Sequence, residues 1–202
     1  PSGRDSHDRA CMKPGEVHFS DPRIDRAIDT YREALLTEYL PELDSSVHEG
    51  YRSEFRYRLE PTVVNDRFIA LRMTGNAYIA GGANPTQLID SLVVSADGQA
   101  IDPLDGFLDG GAKLVGLVTA EILANPDYVQ IEESIDPSIV AWIPTVEGMV
   151  AGFDEYEIAA GYLGIQEVEI PWTNLPDVLD PSGIYISAIQ GYLETESLPP
   201  SP

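Results

Sequence analysis

WIPTVEGMVAGFDEYEIAAGYLGIQEVEIPW, Trp142 to Trp172, is the stretch whose reading decides the fold. Val146 and Met149 flank Glu147-Gly148, a tight-turn pair, and the apolar run Met149 to Phe153 halts at the acidic Asp154-Glu155. Tyr156, Ile158 and Ala160 then alternate with Glu157 and Ala159, the period-two pattern of a strand with one buried face. Gly161 and Gly164 punctuate a loop, after which Val168 and Ile170 alternate with Glu167 and Glu169 until Pro171 ends the strand. The stretch predicts two β-hairpins in series, and with them a fold held together by long-range strand pairing.

The same alternation runs outward from it. Tyr51, Phe55, Tyr57 and Leu59 oppose Arg52, Glu54, Arg56, Arg58 and Glu60, which predicts a half-exposed strand. Asn65-Asp66 reads as a turn into a long strand over Phe68 to Ile79, where Gly75 marks a bulge or a close backbone approach. A turn at Gly81-Gly82, a strand over Leu88 to Ser95 and a hairpin turn at Asp97-Gly98 into Ala100-Ile101 follow. Residues 127–138 read as a short helix or a loop before a strand over Ile139 to Ile143, and Thr173 to Leu179 as one helical turn.

Two stretches change period. Asp21 is an N-cap with Pro22 at the first helical position, and Ile24, Ala27, Ile28, Tyr31, Leu35 and Leu36 recur at three- and four-residue spacing. They predict an amphipathic helix from Arg23 to Leu40, stopped by Pro41 and packed on a sheet. Leu114, Leu117, Val118 and Ile122 stripe a second helix over Gly111 to Ala124. The fold class expected is α+β: a mostly antiparallel, twisted β-sheet with two amphipathic helices packed on it.

With 202 residues, 43% of them hydrophobic, the chain is long enough for one sizeable core. Residues 1–19 are polar and without periodicity and read as a flexible linker; the domain is expected over 20–179 and a C-terminal tail over 180–202. In that tail Ile184 to Leu193 is apolar enough to pack somewhere, whereas Ser197 to Pro202 reads as disordered. The start at Pro1 without Met suggests a processed product from which a signal peptide or anchor has been removed. No apolar run approaches the ~20 residues that span a bilayer.

Charge narrows the partners. Thirty-four acidic residues against 12 basic ones give a formal net charge of -22, which argues against nucleic acid, whose binding rests on Lys and Arg neutralising phosphates. The same field attracts a strongly basic protein. Arg52, Arg56 and Arg58 form the one basic stripe, read as a solvated face of cross-strand pairs rather than a grip for an anion.

Catalytic chemistry finds few footholds. His7, His18 and His48 are the only histidines, the first two in the linker, and no G-x-S-x-G elbow exists to hold a nucleophile, so an esterase would need His48 with an unplaced serine. Asp102, Asp105 and Asp109 miss the EF-hand spacing and read as turn residues; His7, Cys11 and His18 lie in a segment that fixes no ligand geometry. No metal, no cofactor and no catalytic residue is expected.

Tyr156-Glu157-Ile158-Ala159, Gly164, and Glu167-Val168-Glu169-Ile170-Pro171-Trp172 together resemble the closing signature of the extracytoplasmic domain shared by the anti-sigma factor RsiV and the mycobacterial secreted immunogenic antigens. Gly81-Gly82-Ala83-Asn84-Pro85 resembles that family's GGAHPN-type turn, and Ile101 to Phe107 its L-x-D-x-F segment, in the same order and spacing. The resemblance implies a location outside the cytoplasm, secreted or surface-anchored, and, through RsiV, recognition of lysozyme. The family's Pro-Tyr-Ala-x-Gly loop is replaced here by Ala160-Gly161-Tyr162-Leu163-Gly164. The expected function is non-catalytic recognition of lysozyme or another basic protein, through Tyr162 on the loop bounded by Gly161 and Gly164 and the neighbouring acids Asp154, Glu155 and Glu157. The alternative is a secreted esterase or cell-wall hydrolase.

Overall fold

The computed structural model describes residues 19–45, 53–80, 82–128 and 134–186. Expectations that rest on His7, Cys11, His18, His48, Tyr51, Arg52, Gly81 or residues 187–202 lie outside the described residues.

The N-terminal half is one helix on one face of an antiparallel meander. Helix α1 (Pro22–Ser45) starts where Asp21 Oδ1 accepts the Arg23 N–H at 2.9 Å. It runs on through Pro41, where a stop was expected; the ring removes one i→i−4 donor but does not end the helix, which continues to Ser45. Strands β1 (Glu54–Val64), β2 (Phe68–Tyr78), β3 (Thr86–Ser95) and β4 (Ala100–Ile101) pair in chain order. The pleat sends Phe55, Tyr57 and Leu59, then Ile69, Leu71 and Met73, then Leu88, Leu92 and Val94 to one face, where Ile24, Ile28 and Leu35 of α1 cover them. The Tyr31 hydroxyl donates to Asp90 Oδ2 at 2.7 Å and fixes the helix to β3. The register of β1 on β2 breaks between Pro61 and Val63 and not at Gly75, which serves close approach instead: a Cβ there would sit 3.1 Å from the Arg56 carbonyl.

A second antiparallel sheet lies on the opposite face. Strands β5 (Ala141–Pro144), β6 (Gly148–Phe153) and β7 (Gln166–Pro171) also pair in chain order, and helix α2 (Ala112–Ala124) packs on them. Leu114, Val118 and Ile122 of α2 meet Met149, Ala151, Phe153, Val168 and Ile170, together with Phe68, Ala70 and Val93 from the first sheet. Leu117, expected in the buried stripe, is 37% exposed, and Thr119 is buried in its stead, back-bonded to Val115. Two hydroxyls close the seam between the sheets: Ser91 Oγ donates to the Trp142 carbonyl at 2.9 Å and Thr62 Oγ1 to the Pro144 carbonyl at 2.6 Å. These are the carbonyls that β5 turns away from β6, so they are satisfied by side chains of the first sheet.

Tyr185, in the stretch beyond residue 180, is wholly buried among Phe68, Phe107 and Trp172, with its hydroxyl donating to the Pro103 carbonyl at 3.0 Å. The fold class is α+β, as expected. The strand read over Tyr156 to Ala160 is not formed: Tyr156 has φ 77 and only Ala159 makes a bridge, to Tyr128. Residues 154–165 instead form the long β6–β7 connection. Ile139, placed at the start of a strand, lies in a 3-10 turn whose N-cap is Asp136, and β5 begins two residues later.

Candidate functional site

Everything expected to touch a partner falls in that connection, and its conformation begins with two acids. Directly after β6, Asp154 Oδ1 accepts the Ile89 N–H at 2.6 Å. Glu155 Oε2 accepts the Gln87 N–H at 2.9 Å while its own N–H donates to the Gln87 carbonyl at 3.0 Å. Gln87 and Ile89 turn these groups away from β2, so the acids cap the open edge of β3 in place of another strand. This is why the alternation after Phe153 gives no strand: the backbone is drawn aside to bring both carboxylates onto β3.

The connection then closes on itself. The Asp154 N–H donates to Glu157 Oε2 at 2.8 Å, and the Glu157 N–H returns to the Asp154 carbonyl at 3.2 Å. Ile158 and Ala159 enter the core, and the Tyr156 ring lies over Gly161, where a Cβ would come within 2.0 Å of it. Gly161–Leu163 is a 3-10 turn ended by Gly164 at φ 69, a left-handed conformation that favours glycine. Gln166 Nε2 donates to the carbonyls of Leu163, Gly164 and Ile165. On this tethered turn Tyr162 is 88% exposed, with Tyr156 and Leu163 exposed beside it in sequence.

Burial dominates the electrostatics of the acids. It raises the Asp154 pKa to about 6, against the pull of the Ile89 N–H and with help from the negative charges of Glu157, Asp90 and Glu38. It raises Glu157 as well, opposed by the Asp154 N–H, and raises Asp90, opposed by the Tyr31 hydroxyl and the Ser91 N–H. Tyr31 is pushed far up by burial and by the Asp90 charge.

The six residues read from sequence are therefore brought together, in two roles. Gly161, Tyr162 and Gly164 make the projecting turn, whereas Asp154 and Glu155 each commit an oxygen to β3, and Glu157 one to the connection's own backbone. Gln87, Ile89 and Gln166 escaped the sequence reading because their part is played by main-chain groups or by a lone amide; Asp-Glu directly after a strand was the one available signal. Elsewhere, Arg56 and Arg58 pair with Glu54 at 2.6 Å and Glu60 at 2.7 Å on an exposed face, as a solvated stripe should, but the partners lie two residues away along β1 itself and not across strands as expected. Asp102 caps a 3-10 turn by accepting the Leu104 N–H. Among the described residues no three His, Cys, Asp or Glu side chains are grouped as metal ligands would be, and no helix is long and apolar enough to cross a membrane.

Comparison with known proteins bears on the same region. Residues 113–173 match the family described as "Protein of unknown function (DUF3298)". The match runs from α2 through β7, under a third of the chain. Two crystal structures share the fold more widely. One, of a DUF3298 family protein from Pseudomonas aeruginosa PAO1, superposes with a TM-score of 0.59 at 15% identity, covering 84% of each chain. The other, a member of the same family from Bacteroides fragilis NCTC 9343, gives a TM-score of 0.52 at 18% identity over 83% of this chain and 70% of that one. No curated protein matches the sequence.

Proposed function

We propose that this chain is a non-catalytic, extracytoplasmic recognition domain whose β6–β7 connection binds a basic protein, with lysozyme the first to test. The observation that carries the reading is Tyr162, 88% exposed on a turn tethered by Gln166 and by the Tyr156–Gly161 contact. A large aromatic held out on a short, ordered loop gains contact area at small entropic cost. The -22 charge supports a basic partner by accelerating encounter, and the oxygens of Asp154 and Glu155 not used on β3 add local negative potential. The location and the choice of lysozyme come from the resemblance of the Tyr156 to Trp172 signature to RsiV.

Calorimetry with lysozyme, at low and at roughly physiological ionic strength, tests it. Binding is expected at low salt, weakened about tenfold or more at the higher. Tyr162→Ala is expected to weaken it by about tenfold, equivalent to roughly 1.4 kcal/mol. No binding at low salt, or binding indifferent to both salt and the substitution, overturns the reading.

A further inference from the structure

We propose that β7 is a docking edge, along which an extended, lysine- or arginine-bearing segment of a partner protein adds as a fourth strand to β5–β6–β7. The register sets which groups are available. The Trp172 N–H donates to the Glu147 carbonyl, so the alternate positions Ile170, Val168 and Gln166 bond to β6. Glu167 and Glu169 then turn their N–H and C=O groups outward. Neither outward N–H has an acceptor among the described residues, and β7 has no neighbour beyond it in its sheet. The available edge is short and bounded: Gln166 Nε2 occupies the Ile165 carbonyl at one end, and Pro171 offers no donor at the other.

Among the described residues, two other edges are closed at particular groups: carboxylates of Glu155 and Asp154 take the outward N–H groups of Gln87 and Ile89 on β3, and hydroxyls of Thr62 and Ser91 take the outward carbonyls of β5. The edge of β1 is interrupted towards its end by Pro61 and its register shift. The edge of β7 borders a groove of about 470 Å³, with Glu121, Asn125, Pro126 and Tyr128 at the end of α2 opposite Glu167 and Glu169. Glu167 is held by Arg72 at 2.9 Å, whereas Glu121 and Glu169 form no ion pair among the described residues. A second copy of this chain is a poor occupant, because pairing β7 with β7 sets glutamate rows against one another. An acidic segment is repelled in the same way. A basic strand satisfies the main-chain groups and the carboxylates together, as in β-strand addition to exposed sheet edges.

The inference deepens the recognition reading and rests on it for the basic partner, adding main-chain contacts along β7 to the contact made by Tyr162. The test uses two peptides of equal charge, both acetyl-Val-Lys-Val-Lys-Val-Lys amides, one N-methylated at alternate residues so that it cannot complete a ladder. Titrated into the 15N-labelled domain at low salt, the unmodified peptide is expected to shift amides within 121–128 and 166–171 and to slow exchange at Glu167 and Glu169 about tenfold. The methylated peptide is expected to bind about tenfold more weakly, since it lacks the N–H donors that complete the ladder. Glu169→Gln, which keeps the outward N–H, is expected to weaken the unmodified peptide a few-fold. Equal affinity for the two peptides, shifts elsewhere, or no binding at millimolar peptide overturns the inference. If lysozyme still binds in a Tyr162-dependent way, this inference falls alone; if neither lysozyme nor peptide binds, both readings fall.

Discussion

Asp154 is held by two opposing forces, and the balance is measurable. Burial disfavours its charge more than the Ile89 N–H favours it, so its pKa stands near 6 against an ordinary 3.8. A carboxyl that binds its proton more tightly folded than unfolded adds stability as pH falls through 6, an increment complete near 4 and absent above about 7. Asp154→Asn keeps an oxygen for Ile89 and removes the charge. The variant is expected to be more stable than wild type at pH 7.5, by roughly 1 kcal/mol once the group's remaining solvent contact is discounted, and to equal it near pH 4.5. Urea denaturation at these two pH values checks this; an unchanged pH slope in the variant would show that another group carries it. The sequence showed Asp154 as a strand terminator and as an acid near a loop, both of which it is. Its capping of β3 was illegible, because the donor is a backbone N–H 65 residues away that no residue type announces.

At the scale of elements, period was the reliable signal and termination the unreliable one. The stripe from Ile24 to Leu35 and the alternation around Phe55 were legible because one face of each meets a core, and the core is what enforces the period. The run from Tyr156 to Ala160 misled because a local preference was outweighed by the bonds that draw Asp154 and Glu155 onto β3. Tyr185 is the converse, an aromatic in a weakly patterned segment that becomes a centre of the second core. Its ring lies 5.4 Å from that of Phe68, 5.5 Å from Phe107 and 5.6 Å from Trp172. Tyr185→Ala is expected to cost about 3–5 kcal/mol by opening a cavity in that cluster, whereas Tyr185→Phe, which only leaves the Pro103 carbonyl without its donor, is expected to cost about 1 kcal/mol. Denaturant unfolding separates the two. A near-neutral Tyr185→Ala would mean that the segment after residue 180 is not integral to the core.

For the whole molecule the dominant quantity is the -22 net charge, and its effects on the fold and on binding have opposite sign. Like charges repel most strongly in the compact state, so added salt is expected to raise stability. The same salt screens attraction to a basic partner and lowers affinity. Acidification separates two further classes of carboxyl. Asp154, Asp90 and Glu157, raised by burial, add stability as pH falls from 7 towards 4. Asp21, lowered to about 2 chiefly by its hydrogen bond from Arg23, and Asp136 and Asp180, lowered by bonds from Ser138 and Ser182, contribute stability that is lost as pH falls below about 4. Maximum stability is therefore expected on the acid side of neutrality, near pH 4–5, and the gain on acidification is expected to shrink at high salt, where self-repulsion is already screened. Thermal denaturation across pH 3–8 at two ionic strengths measures both effects. A maximum at or above pH 7, or a melting temperature that falls as salt rises from 10 to 200 mM, would show that specific ion pairs such as Arg72–Glu167 outweigh the net charge. If instead salt stabilises the domain, loss of lysozyme or peptide binding at high salt cannot be ascribed to unfolding, and the salt dependence of affinity reports on the contact alone.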